Sequence, residues 1–107
     1  MEVILSWREV SALEAGTRVR FASAWDIFPT ALVKEGTVGT LVENGLNEIQ
    51  SLAMVLPDCR ELRRELSEWD GEIYLCVGDE SQWDEPSPLS LIDPRDYRKP
   101  ISEEVEQ

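Results

Sequence analysis

Apolar and polar residues alternate in short stretches along this chain, most cleanly from Thr17 to Phe21, where Val19 and Phe21 face one way and Arg18 and Arg20 the other. That pattern predicts a half-buried strand. The run Glu35-Gly36-Thr37-Val38-Gly39-Thr40-Leu41-Val42-Glu43 predicts a turn opening a second strand. Gly36 suits the positive φ of a tight turn, and Gly39 lacks a side chain where another backbone must pass close. Val38 and Thr40 then share one face, with Thr37, Gly39 and Leu41 on the other. Asn44-Gly45 is the strongest hairpin signal in the chain, and its partner strand is Gln50 to Leu56, where Leu52, Met54 and Leu56 alternate with Ser51, Ala53 and Val55. The intervening Leu46-Asn47-Glu48-Ile49 makes that connection longer than a two-residue turn. Ile73 to Val77 predicts a further strand, with Ile73, Leu75 and Val77 on one face and Tyr74 and Cys76 on the other. Pro88 to Ile92 predicts the last, its proline at the first position, where a missing donor is tolerated.

Helical signals are fewer. Ser6-Trp7-Arg8-Glu9 has capping-box spacing, and Trp7, Val10 and Leu13 recur at intervals of three, which predicts a helical turn from Trp7 to Leu13 stopped by Gly16. Asp58 is placed to cap a short helix from Cys59 to Leu66, with Leu62 and Leu66 inward and Arg60, Arg63 and Arg64 outward. Ala22 to Glu35 has no sustained period but is too apolar for a solvated loop, so it predicts a long packed connection in which Pro29 excludes a regular central strand. Trp25, Phe28 and Pro29 alternatively form an exposed aromatic platform for an extended peptide. The expected core runs from Leu13 to Ile92 and includes Val19, Phe21, Val38, Leu41, Leu52, Met54, Ile73 and Leu75, with Trp69 buried at the start of the Ile73 strand. From Asp93 onward the chain predicts a tail, ordered in part at Tyr97 and frayed beyond Pro100.

Charge changes this picture more than size does. The 107 residues suit one compact domain, but 22 acidic residues against 10 basic ones leave a net charge of −12, with no histidine. Direct binding to nucleic-acid phosphates is not expected with that balance. The excess is uneven: residues 67 to 107 hold 12 acidic and 3 basic side chains, and no Lys or Arg occurs between Leu66 and Pro94. Cys59 and Cys76 have neither the spacing nor the histidine partners of a zinc site, and free thiols are expected. The apolar run at the N-terminus lacks a basic n-region and a small-residue cleavage site, so neither a signal peptide nor a membrane span is expected. A cytoplasmic protein with reduced cysteines follows.

Five short strands around residues 17 to 92, a long first connection, the Glu-Gly-Thr-Val-Gly-Thr-Leu-Val turn and a final strand after a short break together resemble a small SH3-like barrel. The pairing of that turn with Glu68-Trp69-Asp70-Gly71-Glu72 is similar to a group of short, uncharacterised bacterial and phage proteins, over about three quarters of the chain. The resemblance implies a mainly β fold: a five-stranded SH3-like barrel with one or two short helices, in one domain over residues 1–92 with an N-terminal helical extension, followed by an acidic C-terminal tail at 93–107. It implies recognition and no chemistry, since SH3-like barrels are mostly binding modules or accessory subunits.

The chemistry-bearing residues point the same way. There is no histidine base, no G-x-S-x-G, no P-loop and no paired-cysteine motif, so no catalytic residue and no cofactor is expected. Asp79, Glu80, Asp84 and Glu85 can gather a hard cation such as calcium, yet their spacing matches no EF-hand loop, and no metal site is expected. The leading expectation is a non-catalytic, acidic protein-binding module. Glu68, Asp70, Glu72, Asp79, Glu80, Asp84 and Glu85 face a basic partner surface, and Trp69 and Trp83 are its apolar anchors. One alternative is a phage or mobile-element inhibitor, anti-CRISPR-like, that mimics nucleic-acid charge in the channel of a host defence complex. Another is an accessory subunit of a larger enzyme, bound through apolar surface.

Overall fold

A computed structural model of the chain describes residues 4–27, 31–46, 52–77 and 80–97. Its elements in order are β1 (Ile4–Ser6), α1 (Trp7–Ser11), β2 (Arg18–Phe21), β3 (Trp25–Ile27), β4 (Ala31–Val33), β5 (Val38–Gly45), β6 (Leu52–Pro57), α2 (Arg60–Glu65), β7 (Ile73–Cys76) and β8 (Pro86–Leu91). Short 3-10 turns precede β7 and β8 and follow β8. Six strands form one antiparallel sheet in the order β1-β8-β2-β5-β6-β7, and β3 pairs with β4 in a separate hairpin. The fold is mainly β with two short helices, as the alternation predicts.

The sheet does not close into a five-stranded barrel, because β1 and β7 stand at its two ends unpaired with each other. Side chains link those ends instead. The Trp25 indole on β3 donates to the Tyr74 carbonyl of β7 at 2.9 Å, and its ring meets Trp7, at the start of α1, edge to face with centroids 5.9 Å apart. The stretch expected to be an irregular connection therefore contains the β3–β4 hairpin, and Trp25 packs against the core and forms no exposed platform. Phe28 and Pro29 lie outside the described residues.

The capping box opens α1 as its spacing predicts. The Ser6 hydroxyl accepts from the Glu9 N–H at 3.1 Å, and the Glu9 carboxylate accepts from the Ser6 N–H at 2.8 Å. Trp7, Val10 and Leu13 are buried, although the helix ends at Ser11, short of both Leu13 and Gly16. Asn44 explains how it can end there. Its side-chain amide donates to the carbonyls of Val10 and Leu13, each at 2.9 Å. This adds a second bond at Val10, whose carbonyl also accepts from the Leu13 N–H at 3.0 Å, and satisfies the Leu13 carbonyl beyond the helix end. Asn44-Gly45 is thus the last part of β5 and not a hairpin tip; residues 47–51 lie outside the described segments.

β5 and β6 place Gly39 opposite Pro57, Thr40 opposite Leu56 and Leu41 opposite Val55. The register then shifts by one, so that Glu43 faces Met54 and Val42 is the extra residue of a β-bulge. This pairing turns Ala53, Val55 and Pro57 inward and leaves Leu52, Met54 and Leu56 half-buried on the outer face, the reverse of the expected core face for Leu52 and Met54. Val38 is likewise half-buried, while Leu41 is fully buried. Gly36 has the predicted positive φ, at 93°. Val19, Phe21, Ile73 and Leu75 join Leu41 in the core with Leu5, Val33, Leu46, Leu66 and Leu89.

Asp58 does not cap α2. Cys59 is its N-cap residue, without a side-chain cap bond, and Asp58 instead takes both arms of the Arg18 guanidinium at 2.8 and 2.6 Å. A bidentate charged pair outcompetes a cap bond to a two-turn helix. β8 starts at Pro86 and runs between β1 and β2, with Pro88 inside it; the register to β1 shifts there, and the Ser87 hydroxyl donates to the Leu5 carbonyl at 2.8 Å. Beyond β8, the Tyr97 hydroxyl reaches the Glu9 carboxylate at 3.2 Å, joining the residues that follow the sheet to α1.

Candidate functional site

The approach to β7 gathers the first group of predicted binding residues. Leu66 is buried and acts as a pivot, its carbonyl accepting from the N–H groups of Trp69 and Gly71 at 2.8 and 2.9 Å. Asp70 and Gly71 follow with φ of 59° and 79°. Two successive left-handed residues reverse the chain sharply, and a non-glycine residue with positive φ is uncommon enough to mark a defined corner. Asp is among the residue types that tolerate it best.

Trp69 stands on the outside of this corner and is not buried as expected: it is 39% exposed and meets Tyr74 edge to face, with centroids 4.8 Å apart. Leu66 and Ile73 fill the core on either side of it, so the indole rests on the outer-face residue of β7. Glu68 and Asp70 are exposed, and Glu72 is half-buried. Burial first, and then the charges of Asp70 and Glu43, push the Glu72 carboxyl above its usual range. Glu43 thus joins the acidic corner, a residue that sequence reasoning missed; the bulge at Val42 puts it on this face, and local alternation carries no sign of that bulge.

The second predicted group lies elsewhere. Asp84 pairs with Arg8 at 2.9 Å, and that hydrogen bond and charge hold its carboxyl below the ordinary range. Trp83 is half-buried against the core, its carbonyl accepting from the Arg8 N–H at 2.8 Å, and the Glu85 carbonyl accepts from the Trp7 N–H at 3.1 Å. Trp83 therefore tethers the loop before β8 to α1 and is not an open anchor. Glu80 begins the 3-10 turn Glu80–Gln82, and Asp79 lies outside the described residues. The acidic side chains expected to share one face are carried by two separate segments, the corner before β7 and the loop before β8, and in the second Asp84 is taken up by Arg8.

Beside the corner, the outer faces of β5, β6 and β7 present paired rows. Glu43, Met54 and Tyr74 make one row, Gly45, Leu52 and Cys76 a second, and Thr40 with Leu56 a third. Arg18 lies next to Thr40 and donates to its hydroxyl at 2.9 Å as well as to Asp58. Cys59 and Cys76 are exposed free thiols.

Among the described residues no cluster of His, Cys, Asp and Glu is arranged to hold a metal ion, and no helix is long and apolar enough to cross a membrane. A cleft of about 220 Å³ between β4 and α2 is lined by Leu32, Lys34, Thr37, Cys59, Glu61, Leu62 and Glu65. It falls short of the roughly 300 Å³ from which small-molecule sites start. No family model matches the chain, nor does any curated protein or solved structure.

Proposed function

We propose that this chain is a non-catalytic binding module that engages a basic partner protein through the corner formed by Glu68, Trp69, Asp70 and Glu72, with Glu43 beside it. The observation that carries this reading is Trp69, a large aromatic side chain 39% exposed at a sharp turn and flanked along the chain by Glu68, Asp70 and Glu72. Partly exposed tryptophans supply contact area at little entropic cost, and they dominate hot spots. Carboxylates around one steer a cationic surface toward it.

A nucleic-acid charge mimic is less well supported, because it needs carboxylates displayed in an extended array. Asp58, Asp84 and Asp93 are instead each taken up by an arginine, Arg18, Arg8 and Arg95.

The test is capture of partners on the immobilised protein, repeated with Glu68, Asp70 and Glu72 changed to Lys and with Glu103, Glu104 and Glu106 changed to Lys. Both triple variants change net charge equally, but the second set lies outside the described residues, on the tail. The corner triplet and Trp69→Ala should each lower affinity at least tenfold, with the loss steepest at low ionic strength for the triplet. Equal losses from both triplets would reduce the corner to non-specific charge and refute the reading.

A further inference from the structure

Leu52 to Pro57 is an unbroken apolar run, the pattern of a strand covered on both faces. The chain itself covers one face. Ala53, Val55 and Pro57 are buried, while Leu52, Met54 and Leu56 remain half-buried on the outer side. Tyr74 lies beside Met54, and Trp69 rests on Tyr74, so the outer surface of β6 runs without a break into the exposed indole. These half-buried apolar side chains, gathered beside the exposed Trp69 rather than scattered, extend the apolar area that the indole offers a partner.

We propose that the outer face of β5, β6 and β7 is a docking surface for a partner protein whose contact region has an apolar centre bordered by lysine or arginine. This deepens the binding function proposed above and rests on it. The partner's chemistry follows from the rim. Glu43 sits next to Met54, Glu72 precedes Tyr74 on the same face, and Asp70 and Glu68 complete the corner. Positive charge borders the surface elsewhere: Arg18 is held by Asp58 and Thr40, Arg20 is exposed beside Val38 on β2, and Arg63 of α2 lies against Gly71, so the acidic rim is confined to Glu43, Glu68, Asp70 and Glu72 at the β7 side. The Glu72 carboxyl, raised first by burial and then by the charges of Asp70 and Glu43, stands in the midst of this rim, where an incoming cation offsets the like charges beside it. A second copy of this chain is the poorer occupant, because it would press two acidic rims together in molecules of net charge −12. Met54 at the centre suits a partner surface of irregular shape, the thioether being an adaptable gap-filler.

The experiment places a photo-crosslinking phenylalanine at Met54 in one full-length variant and at Leu32 in another, irradiates each in lysate of the source cells, and maps the joined peptides by mass spectrometry. Leu32 is the matched control, more exposed at 56% and on β4 rather than on the outer sheet face. The expected result is a crosslink from position 54 and none from 32, joined to a partner segment in which lysine or arginine flanks apolar residues. The partner so identified should then bind Leu52→Ser/Met54→Ser at least tenfold more weakly than Leu32→Ser, with both variants matching the parent in thermal unfolding by circular dichroism. A crosslink from 32 alone, none from 54, a joined segment without cationic residues, or a second copy of the chain at position 54 would each overturn the proposal. If position 54 is silent while the Glu68/Asp70/Glu72 reversal still releases the partner, the sheet face fails and the acidic corner stands. A crosslink at 54 with an inert reversal would remove the acidic corner from recognition and overturn the cationic partner proposed here.

Discussion

Replacing Gly39 with alanine tests the β5–β6 pairing on which the assignment of the outer face depends. A Cβ added there would lie 2.7 Å from the Leu56 carbonyl oxygen, 2.8 Å from Val55 Cγ1 and 3.1 Å from Pro57 Cα. Two of the three atoms are backbone and the third belongs to a fully buried valine, so no side chain can rotate away. The strands must separate locally. Overpacking of this kind costs about 1–3 kcal/mol, and a backbone obstruction belongs at the upper end. For a domain of this size that lowers the melting temperature by roughly 10–20 °C. Gly36→Ala supplies the contrast: nothing lies within 4 Å of its added Cβ, but its φ is +93°. Its cost is conformational, about 1 kcal/mol, or roughly 4–8 °C. Thermal unfolding followed by circular dichroism, with urea midpoints as a second measure, gives the order of the two variants. Gly36→Asn should regain part of the loss, because asparagine tolerates positive φ, and Gly39→Asn should be worse than Gly39→Ala. If Gly39→Ala proved as mild as Gly36→Ala, the two strands would not lie this close and the assignment of inner and outer faces would fall with them.

Asn44→Ala leaves the Val10 and Leu13 carbonyls without the amide they now share. The expected loss is about 1–3 kcal/mol in urea denaturation, and Asn44→Asp should cost more because a carboxylate would face two carbonyl oxygens. The dependence on pH should take opposite signs at two carboxyls. Arg18 holds Asp58 below its ordinary value of 3.8, so the pair's contribution is complete above that pH and is lost as the pH falls through the lower folded value. Asp58→Asn should thus cost up to about 1 kcal/mol at pH 7, measured by urea midpoints, and nothing in strong acid. Glu72 is raised above its ordinary 4.5, so the folded state binds a proton more readily than the unfolded chain and loses stability as the pH rises through that window. Glu72→Gln should raise the urea midpoint at pH 7 and lose its advantage as the medium is acidified below the raised value.

Local rules were legible where they had no competitor. The Ser6–Glu9 box, the inward Val19 and Phe21, and the turn glycine at 36 each depend on residues within one element or the next, and each is present. Where local chemistry and a distant group compete for the same atoms, the distant group wins. Asn44-Gly45 reads as a turn, but the Asn44 amide serves carbonyls 34 and 31 residues away. Asp58 reads as a helix cap, but Arg18, 40 residues away, takes both its oxygens. For β6 no local signal exists to be read. With both faces apolar, period two cannot choose between Leu52-Met54-Leu56 and Ala53-Val55-Pro57, and the ladder to β5 makes the choice.

The candidate site follows the same logic. Selection by residue type cannot tell a carboxylate that is already satisfied from one that is not, and Asp84 proves to be held by Arg8. Nor can it tell an anchoring tryptophan from a core one. Of four tryptophans, Trp7 is buried and Trp25 and Trp83 pack against the core, leaving Trp69 as the one exposed enough to serve a partner. Its exposure has a thermodynamic meaning. Burying a large side chain contributes roughly 1.5–3 kcal/mol, and Trp69 forgoes part of that at a corner where Asp70 also takes a left-handed backbone. Both costs fall at the corner proposed above to meet a partner. On that reasoning Trp69→Ala should cost folding less than Trp25→Ala, which removes the bond to Tyr74 and the contact with Trp7, while weakening the complex more, as urea midpoints and binding measured on both variants would show.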